Sequence, residues 1–198
     1  MNREKAEQLR EGVRLAYSAV AEDPQMKHPF PVGREFAESL GYPSELMASL
    51  PAAAVDAFAG VSNVSIFAHI PEAATVLDLG CGTGLDSLIA ARKVGPEGHV
   101  IGVDFSQTML ARARQAAAEV GIGNVEFCRA DAETLWLEDA SIDVALVNGI
   151  FNLNPARASI FSELARVMRP GGAVYAAEII LREPLPPEVQ ESETNWFA

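Results

Sequence analysis

The sequence has 198 residues, a hydrophobic fraction of 49% and a formal net charge of -12 at pH 7. This length and apolar content suffice to bury one substantial core, so we expect a folded chain rather than a disordered one. The acidic balance, without any basic run, argues against a nucleic-acid partner, whose phosphates are bound by clustered Lys and Arg. A small molecule is therefore the expected substrate.

The two cysteines, Cys81 and Cys128, lie far apart and form no C-x-x-C pair or Cys/His cluster. The sequence therefore predicts neither a disulfide framework nor a metal site. No apolar run approaches the roughly 20 residues that cross a bilayer, and the polar N-terminus does not resemble a secretory leader. We expect a cytoplasmic protein without a membrane partner.

The N-terminal part is expected to be helical. Apolar residues recur at steps of three and four over residues 3–21, which predicts an amphipathic helix ending near Asp23. This part has two alternative roles: a lid over a pocket that must exclude water, or a plain cover for apolar sheet surface. Shorter helical segments are predicted at about 33–40, 44–49 and 51–58.

From Ala74 onward strand-like and helix-like stretches alternate, which is typical of a doubly wound parallel sheet. Ser106 is the predicted cap of one helix, and Asn154 before Pro155 the predicted start of another. The turn at 169–172 is expected to end that last helix. Strands are predicted at 75–79, 99–103, 125–129, 142–147 and 173–180, and helices at 84–93, 106–120 and 155–168.

The stretch Val76 to Gly84 is the centre of this predicted domain. An apolar strand ends in three glycines spaced two apart, and a helical segment follows. Glycine allows a sharp turn and a close approach of a ligand, and the first N–H groups of a helix face an anionic group. The order G-x-G-x-G, with Asp78 ahead, differs from the dinucleotide pattern G-x-G-x-x-G. We therefore interpret it as a site for S-adenosylmethionine.

Three further residues follow predicted strands. Asp104 lies about 20 residues beyond the glycine turn, where a carboxylate can accept hydrogen bonds from ribose hydroxyls; the alternative is a helix cap. Phe105 can lie against an adenine face or belong to the core. Asp131 can accept a bond from the adenine amino group or belong to a surface turn.

Five ordered stretches together resemble the class I S-adenosylmethionine-dependent methyltransferases. The resemblance covers roughly residues 74–181. It implies a Rossmann-like α/β fold and transfer of a methyl group from S-adenosylmethionine to a small-molecule acceptor. The stretches are Val76 to Gly84, Val100 to Asp104, Ala130 to Ala132, Asp143 to Asn148 and Pro170 to Gly172.

The resemblance also implies which residues hold the cofactor. The implied contacts to the methionine moiety are Asp78, Gly80, Gly82 and Gly84, and Cys81 in the same turn is a further cofactor-binding residue. Those to the adenosine are Asp104 at the ribose, Phe105 and Met109 around the adenine, and Asp131 with Ala132 at the adenine edge. Asn148 would lie beside the transferred methyl group.

A less specific resemblance is to the arsenite methyltransferase branch. It is carried by Val147 to Pro155, Ala57 to Asn63 and the tail Leu185 to Trp196. That group holds trivalent arsenic with cysteine thiolates, since a soft metalloid needs soft ligands. Here Gly149 stands where the family has a cysteine, and the segment around Gly60 has none. The resemblance implies the scaffold, and no arsenite activity is expected.

Methyl transfer mainly requires alignment of donor and acceptor, so a catalytic base is optional. The candidates for a catalytic role are Tyr17, His28, His69 and Asn148, and packing or solvent contact is the alternative for each histidine and for Tyr17. No metal is expected to take part. A cofactor-binding module without turnover is the alternative function.

The patterns predict a helical cover at 1–70, the S-adenosylmethionine-binding domain at 71–181 and a tail at 182–198. The family sheet normally ends with two more strands, which this tail is too short and proline-rich to form. We therefore expect a shortened form of a longer protein. The fifth strand is then an exposed sheet edge, which a homodimer would cover.

Overall fold

Five parallel strands form one sheet in this computed structural model, which describes residues 3–183. The strands are β1 (Thr75–Leu79), β2 (His99–Asp104), β3 (Val125–Arg129), β4 (Ile142–Asn148) and β5 (Met168–Ala177). Their order across the sheet is β3-β2-β1-β4-β5. The chain moves outward from β1 to one side and then returns to place β4 on the other, so the order reverses beside β1. The predicted doubly wound, Rossmann-like α/β fold is confirmed.

Eight helices flank the sheet or precede it in the described residues. The segment before β1 carries α1 (Arg3–Glu22), α2 (Arg34–Ser39), α3 (Ser44–Ala48), α4 (Ala52–Val55) and α5 (Val64–Phe67). The remaining helices connect the strands: α6 (Leu85–Val94), α7 (Gln107–Glu119) and α8 (Arg157–Val167).

The inner strands are apolar on both faces because helices cover both sides of the sheet. Successive residues of β1 point to opposite sides. Leu77 packs with Ile101 and Ile160 on one face, and Val76 packs with Val100 on the other. The side chains alternate between the two faces, but nearly all are apolar, and this apolar run is what predicted β1 from the sequence.

The N-terminal segment shares a core with the sheet domain. Tyr42, Met47 and Phe58 belong to the same buried cluster as Leu88 of α6 and Leu110 of α7. The segment is thus packed into the fold, and the division at residue 70 stays a prediction. No helix within residues 3–183 is both long and apolar enough to cross a membrane.

Three predicted boundaries near the last strand are wrong. Helix α8 begins at Arg157 rather than at 155, because the Asn154 side chain accepts a bond from Ala156 N at 2.8 Å and forms a turn before the helix. Strand β5 begins at Met168, directly after α8, and ends at Ala177 rather than 180. The predicted turn at 169–172 is instead an irregularity inside β5, where the pairing register with β4 shifts.

Candidate active site

A cavity of about 590 Å³ lies at the carboxyl edge of the sheet. Its walls include the ends of β1, β2, β3 and β4 together with residues of α1. In an open parallel sheet, ligands bind at this edge, at the point where the strand order reverses. The volume is that of a site for a small molecule or cofactor.

The glycine turn forms the floor of the cavity. Gly80 has φ +80° and Gly82 has φ +53°, a left-handed backbone that favours glycine. The N–H groups of Gly80 and Cys81 donate to Val103 O at 2.8 and 3.0 Å, which anchors the turn on β2. A Cβ at Gly80 would lie 2.4 Å from Ile150 Cγ2. Glycine is therefore required there by both backbone conformation and space.

Gly84 has a different role from its neighbours in the turn. It precedes α6 with φ +84°, and a Cβ there would lie 2.9 Å from the Phe127 ring. It does not belong to the cavity lining within the described residues. The structure therefore places this predicted cofactor-binding residue in the packing of α6 against β3.

Asp104 connects the end of β2 to both the glycine turn and α7. Its Oδ1 accepts from Ser106 N at 2.8 Å, and its Oδ2 accepts from Gly82 N at 3.0 Å. Ser106 Oγ in turn caps α7 by accepting from Met109 N. Burial of the Asp104 carboxyl raises its pKa to about 6, although the backbone bonds oppose the shift. Each carboxylate oxygen keeps a further lone pair for a ligand.

Two more buried carboxylates, Asp78 and Asp86, line the cavity. Asp78 Oδ2 accepts a bond from the Ser87 hydroxyl at 2.5 Å. Burial, and the nearby negative charges of Asp86 and Asp104, hold the pKa of Asp78 well above its usual range. With Asp104, these side chains place three buried carboxyl groups at the floor, and a positively charged ligand there would favour their ionised form.

Asn148 ties the loop at 60–62 to the end of β4. Its Oδ1 accepts from Val61 N at 2.8 Å and Ser62 N at 3.1 Å. Its Nδ2 donates to Ser62 O at 2.7 Å and Asp86 Oδ2 at 2.9 Å. Asn148 lies on the cavity as predicted, and its amide is occupied in positioning this loop and Asp86. A Cβ at Gly60 would lie 2.5 Å from Asn148 Nδ2, which explains the glycine.

Helix α1 covers one end of the cavity. The Arg10 guanidinium lies 3.1 Å from both Asp131 Oδ1 and Glu133 Oε1, in the loop after β3. Tyr17 stacks on Phe30 with ring centroids 4.7 Å apart and also lines the cavity. Burial raises the pKa of the Tyr17 phenol, so it stays protonated at neutral pH. The position of α1 favours the lid over the plain cover.

The structure brings most of the predicted site residues together. Every residue of the predicted cofactor-binding set except Gly84 lines the cavity, as does the catalytic candidate Tyr17. His69 is exposed and lies outside the lining. His28 also lies outside it, with Nε2 2.9 Å from Asp23 O. Neither histidine is positioned to act on a ligand in the cavity.

Some cavity residues were missed by sequence reasoning. Asp86 could have been found from the sequence, since an acidic residue in the first turn of an otherwise buried helix needs hydrogen-bond donors. One such donor is the Tyr42 hydroxyl, at 2.6 Å. Arg10, Ile150 and Leu153 carried none, because only tertiary packing brings them to the cavity.

Residues 70–197 match a family model described as a methyltransferase domain. The chain belongs to this family. The chain is 40% identical over 153 residues to an arsenite methyltransferase from Halobacterium salinarum, covering 77% of this chain and 39% of that protein. It is 38% identical over 105 residues to a demethylmenaquinone methyltransferase from Listeria monocytogenes, covering 52% of this chain and 44% of that protein.

A solved structure has the same fold over most of this chain. The arsenic (III) S-adenosylmethionine methyltransferase from Chlamydomonas reinhardtii superposes with a TM-score of 0.62 and 30% identity, covering 85% of this chain and 57% of that chain. These matches confirm the resemblance to class I methyltransferases near the arsenite methyltransferase branch. The chain spans 39% and 44% of the lengths of the two curated relatives.

Proposed function

We propose that this chain binds S-adenosylmethionine in the cavity at the sheet edge and transfers the methyl group to a small-molecule acceptor. The observation that carries the proposal is the convergence of the glycine turn and Asp104 on one cavity of about 590 Å³. This is the arrangement that an adenosyl ligand requires at the switch point of a parallel sheet.

The residues present fit the chemistry of this cofactor. Asp104 offers lone pairs to the ribose hydroxyls, while Phe105 and Met109 line the space beside it. Asp78 and Asp86 accept side-chain hydrogen bonds from hydroxyl and amide groups rather than from Lys or Arg, so a cationic ligand would favour the ionised form of these carboxyls. When bound, S-adenosylmethionine supplies a methyl group activated by a positively charged sulfur.

The chain's own contribution is alignment and exclusion of water. The glycine turn allows the ligand to approach the backbone, and α1 covers the adenine end through the Arg10 ion pairs. Tyr17 stays protonated and therefore does not serve as a base at neutral pH. Its ring narrows the cavity instead.

Transfer of a radiolabelled methyl group from S-adenosylmethionine to a panel of small acceptors tests the proposal. We expect labelled product with at least one organic acceptor, and at least ten-fold less with Asp104→Ala. Asp139→Ala is the matched control, because that carboxylate is 78% exposed and lies outside the cavity lining. Equal transfer by wild type and Asp104→Ala would contradict the proposed site.

A cofactor-binding module without turnover is the second candidate. The observation that favours it is that His28 and His69 lie outside the cavity lining and that the Asn148 amide is occupied by bonds to the protein. Tight binding of S-adenosylmethionine together with no transfer to any acceptor would favour the module over the enzyme.

A further inference from the structure

The side of the cavity next to β4 is where an acceptor would enter. Asp104 ends β2 and Asp131 follows β3, and these two strands lie on one side of β1, whereas β4 lies on the other. If the adenosine lies over β2 and β3, the transferable methyl group faces β4. We call the residues at this side the acceptor end: Asn148, Gly149, Ile150, Leu153 and Ile160. This step rests on the proposed function.

The acceptor end is apolar and has few polar groups to offer. Ile150, Leu153 and Ile160 supply hydrocarbon surface. The Asn148 side-chain amide already accepts two hydrogen bonds and donates two. The Gly149 N–H donates to Ala177 O at 2.9 Å. These polar groups are therefore not available to hold an anion.

The next loop residues are also committed to the protein. The N–H groups of Phe151 and Asn152 donate to Glu178 Oε2 at 2.6 and 3.2 Å. A cradle of backbone N–H groups, the usual way of binding a carboxylate or phosphate without Lys or Arg, requires such donors to point at the ligand. Glu178 occupies them.

The charges around the cavity also disfavour an anionic acceptor. Six acidic and three basic side chains line the cavity. Arg10 is paired with Asp131 and Glu133, and Arg14 is paired with Glu11 on its own helix. The third basic residue, Arg129, lies at the β3 end and donates to Phe105 O at 3.2 Å. The basic groups are thus paired or lie at the adenine side.

Thiol ligands for a metalloid are lacking at the acceptor end. The whole chain has two cysteines. Cys128 lies outside the cavity lining among the described residues, and Cys81 belongs to the glycine turn. Burial and the adjacent carboxylates raise the pKa of the Cys81 thiol, so it is protonated at neutral pH. Trivalent arsenic needs several thiolates, which this cavity does not provide.

We propose that the methyl acceptor is an uncharged, mainly apolar organic molecule with an oxygen, nitrogen or carbon nucleophile. In the transfer, a lone or π electron pair of the acceptor forms the new bond to the methyl carbon as the carbon–sulfur bond breaks. The electrons of the broken bond stay on sulfur, and the proton of the acceptor passes to water. An apolar wall desolvates such a nucleophile without binding it ionically.

The test measures acceptor binding as well as turnover. With the chain saturated by S-adenosylhomocysteine, calorimetry compares 2-naphthol, its carboxylated analogue 3-hydroxy-2-naphthoate, and arsenite. We expect 2-naphthol to bind at least ten-fold more tightly than the carboxylate, and arsenite to show no saturable binding. Leu153→Lys should reduce the ratio of the two dissociation constants, that of the carboxylate to that of 2-naphthol, at least five-fold. Ile180→Lys adds the same charge at a residue that is 83% exposed and should leave this ratio unchanged.

The outcomes separate this inference from the proposed function. No binding of S-adenosylhomocysteine by the folded wild type would overturn the proposed function, and this inference with it. If S-adenosylhomocysteine binds, the inference alone is overturned by carboxylate or arsenite binding as tight as that of 2-naphthol, or by no binding of 2-naphthol. The comparison uses the wild type, so it does not depend on whether either variant folds.

Discussion

Gly80 is the residue at which the glycine turn lies directly against the loop after β4. Gly80→Ala would place a Cβ 2.4 Å from Ile150 Cγ2 at a backbone with φ +80°. We expect the free energy of unfolding to fall by roughly 2–4 kcal/mol, since overpacking and backbone strain add. Binding of S-adenosylmethionine should weaken at least ten-fold. Urea unfolding and calorimetric titration measure the two effects.

Gly121→Ala is the matched control. Gly121 has a similar φ of +65°, but a Cβ there would meet nothing within 4 Å. It should lose only about 1 kcal/mol from the left-handed backbone and should bind the cofactor as the wild type does. If the two variants lost binding equally, close approach at Gly80 would not be the cause.

Buried carboxylates should make the chain less stable as the pH rises. The pKa of Asp104 is about 6 when folded and about 4 when unfolded. The folded state therefore keeps a proton that the unfolded state has released. Between pH 4 and 6 this costs roughly 2–3 kcal/mol of unfolding free energy. Asp78, whose pKa is also raised, extends the loss to higher pH.

Asp78→Asn tests this dependence, because asparagine resembles the protonated acid at every pH. We expect the variant to be about 1–2 kcal/mol more stable than the wild type at pH 8 and no more stable at pH 4. Urea unfolding at the two pH values measures the difference. Glu45→Gln on α3, where the carboxylate is exposed, is the control. A stability gain that is the same at both pH values would contradict the assignment.

At the level of single residues, the sequence predicted the site residues that a local pattern marks. The glycine turn and Asp104 follow strands at fixed spacing, so their place in the cavity could be foreseen. Gly84 packs against Phe127, 43 positions later in the chain, a contact that no local pattern shows. The bonds that occupy Asn148 come from the loop at 60–62, which no local pattern connects to β4.

For helix α1, the structure favours one of the two roles that the sequence left open, the lid over the cavity. Arg10 links this helix to Asp131 and Glu133, in the loop after β3. Such partly exposed pairs contribute at most about 1 kcal/mol. Arg10→Ala should therefore raise amide hydrogen exchange in α1 by about 2- to 5-fold and speed cofactor release by a similar factor. Mass spectrometry and stopped-flow fluorescence measure these rates.

Arg14→Ala removes a charge from the same helix without removing a contact to another element, since Arg14 pairs with Glu11. Its effect on amide exchange in α1 should be smaller than that of Arg10→Ala. High salt should reproduce the Arg10→Ala effect in the wild type, because ions screen partly exposed pairs. Equal exchange in both variants would mean that the loop after β3 does not hold the helix.

Most elements after Ala74 could be predicted because apolar periodicity and cap residues agree there. β5 was misplaced because Pro170, Gly171 and Gly172 read as a turn, whereas pairing with β4 on both sides keeps them within one irregular strand. The four-residue helix α5 (Val64–Phe67) was missed because it is too short to show a helical period.

For the whole molecule, the cofactor half of the cavity was predictable and the acceptor half was not. The first half is built from successive strand ends, which follow a regular topology. The second is made of residues 148–153 and Ile160 of α8, which Asn148 connects to the loop at 60–62, and only the folded core brings these together. Relatives act on different acceptors according to their names, so the shared fold does not identify the acceptor.

The described sheet ends at β5, where Val174 is 44% exposed. A homodimer through this edge stays a prediction, as does a cytoplasmic location. If the edge pairs with a second copy, sedimentation should show a dimer, and Val174→Lys should give a monomer. A monomeric wild type would contradict pairing through this edge. The predicted tail lies almost entirely outside the described residues, beyond 183.

Calorimetric titration of the folded wild type with S-adenosylmethionine and S-adenosylhomocysteine tests the central claim most directly. The arrangement of the glycine turn and Asp104 around one cavity predicts saturable binding of both at one site. It also predicts at least ten-fold weaker binding by Asp104→Ala. Absence of binding by the folded chain, or unchanged binding by Asp104→Ala, would contradict the claim that this cavity is the cofactor site.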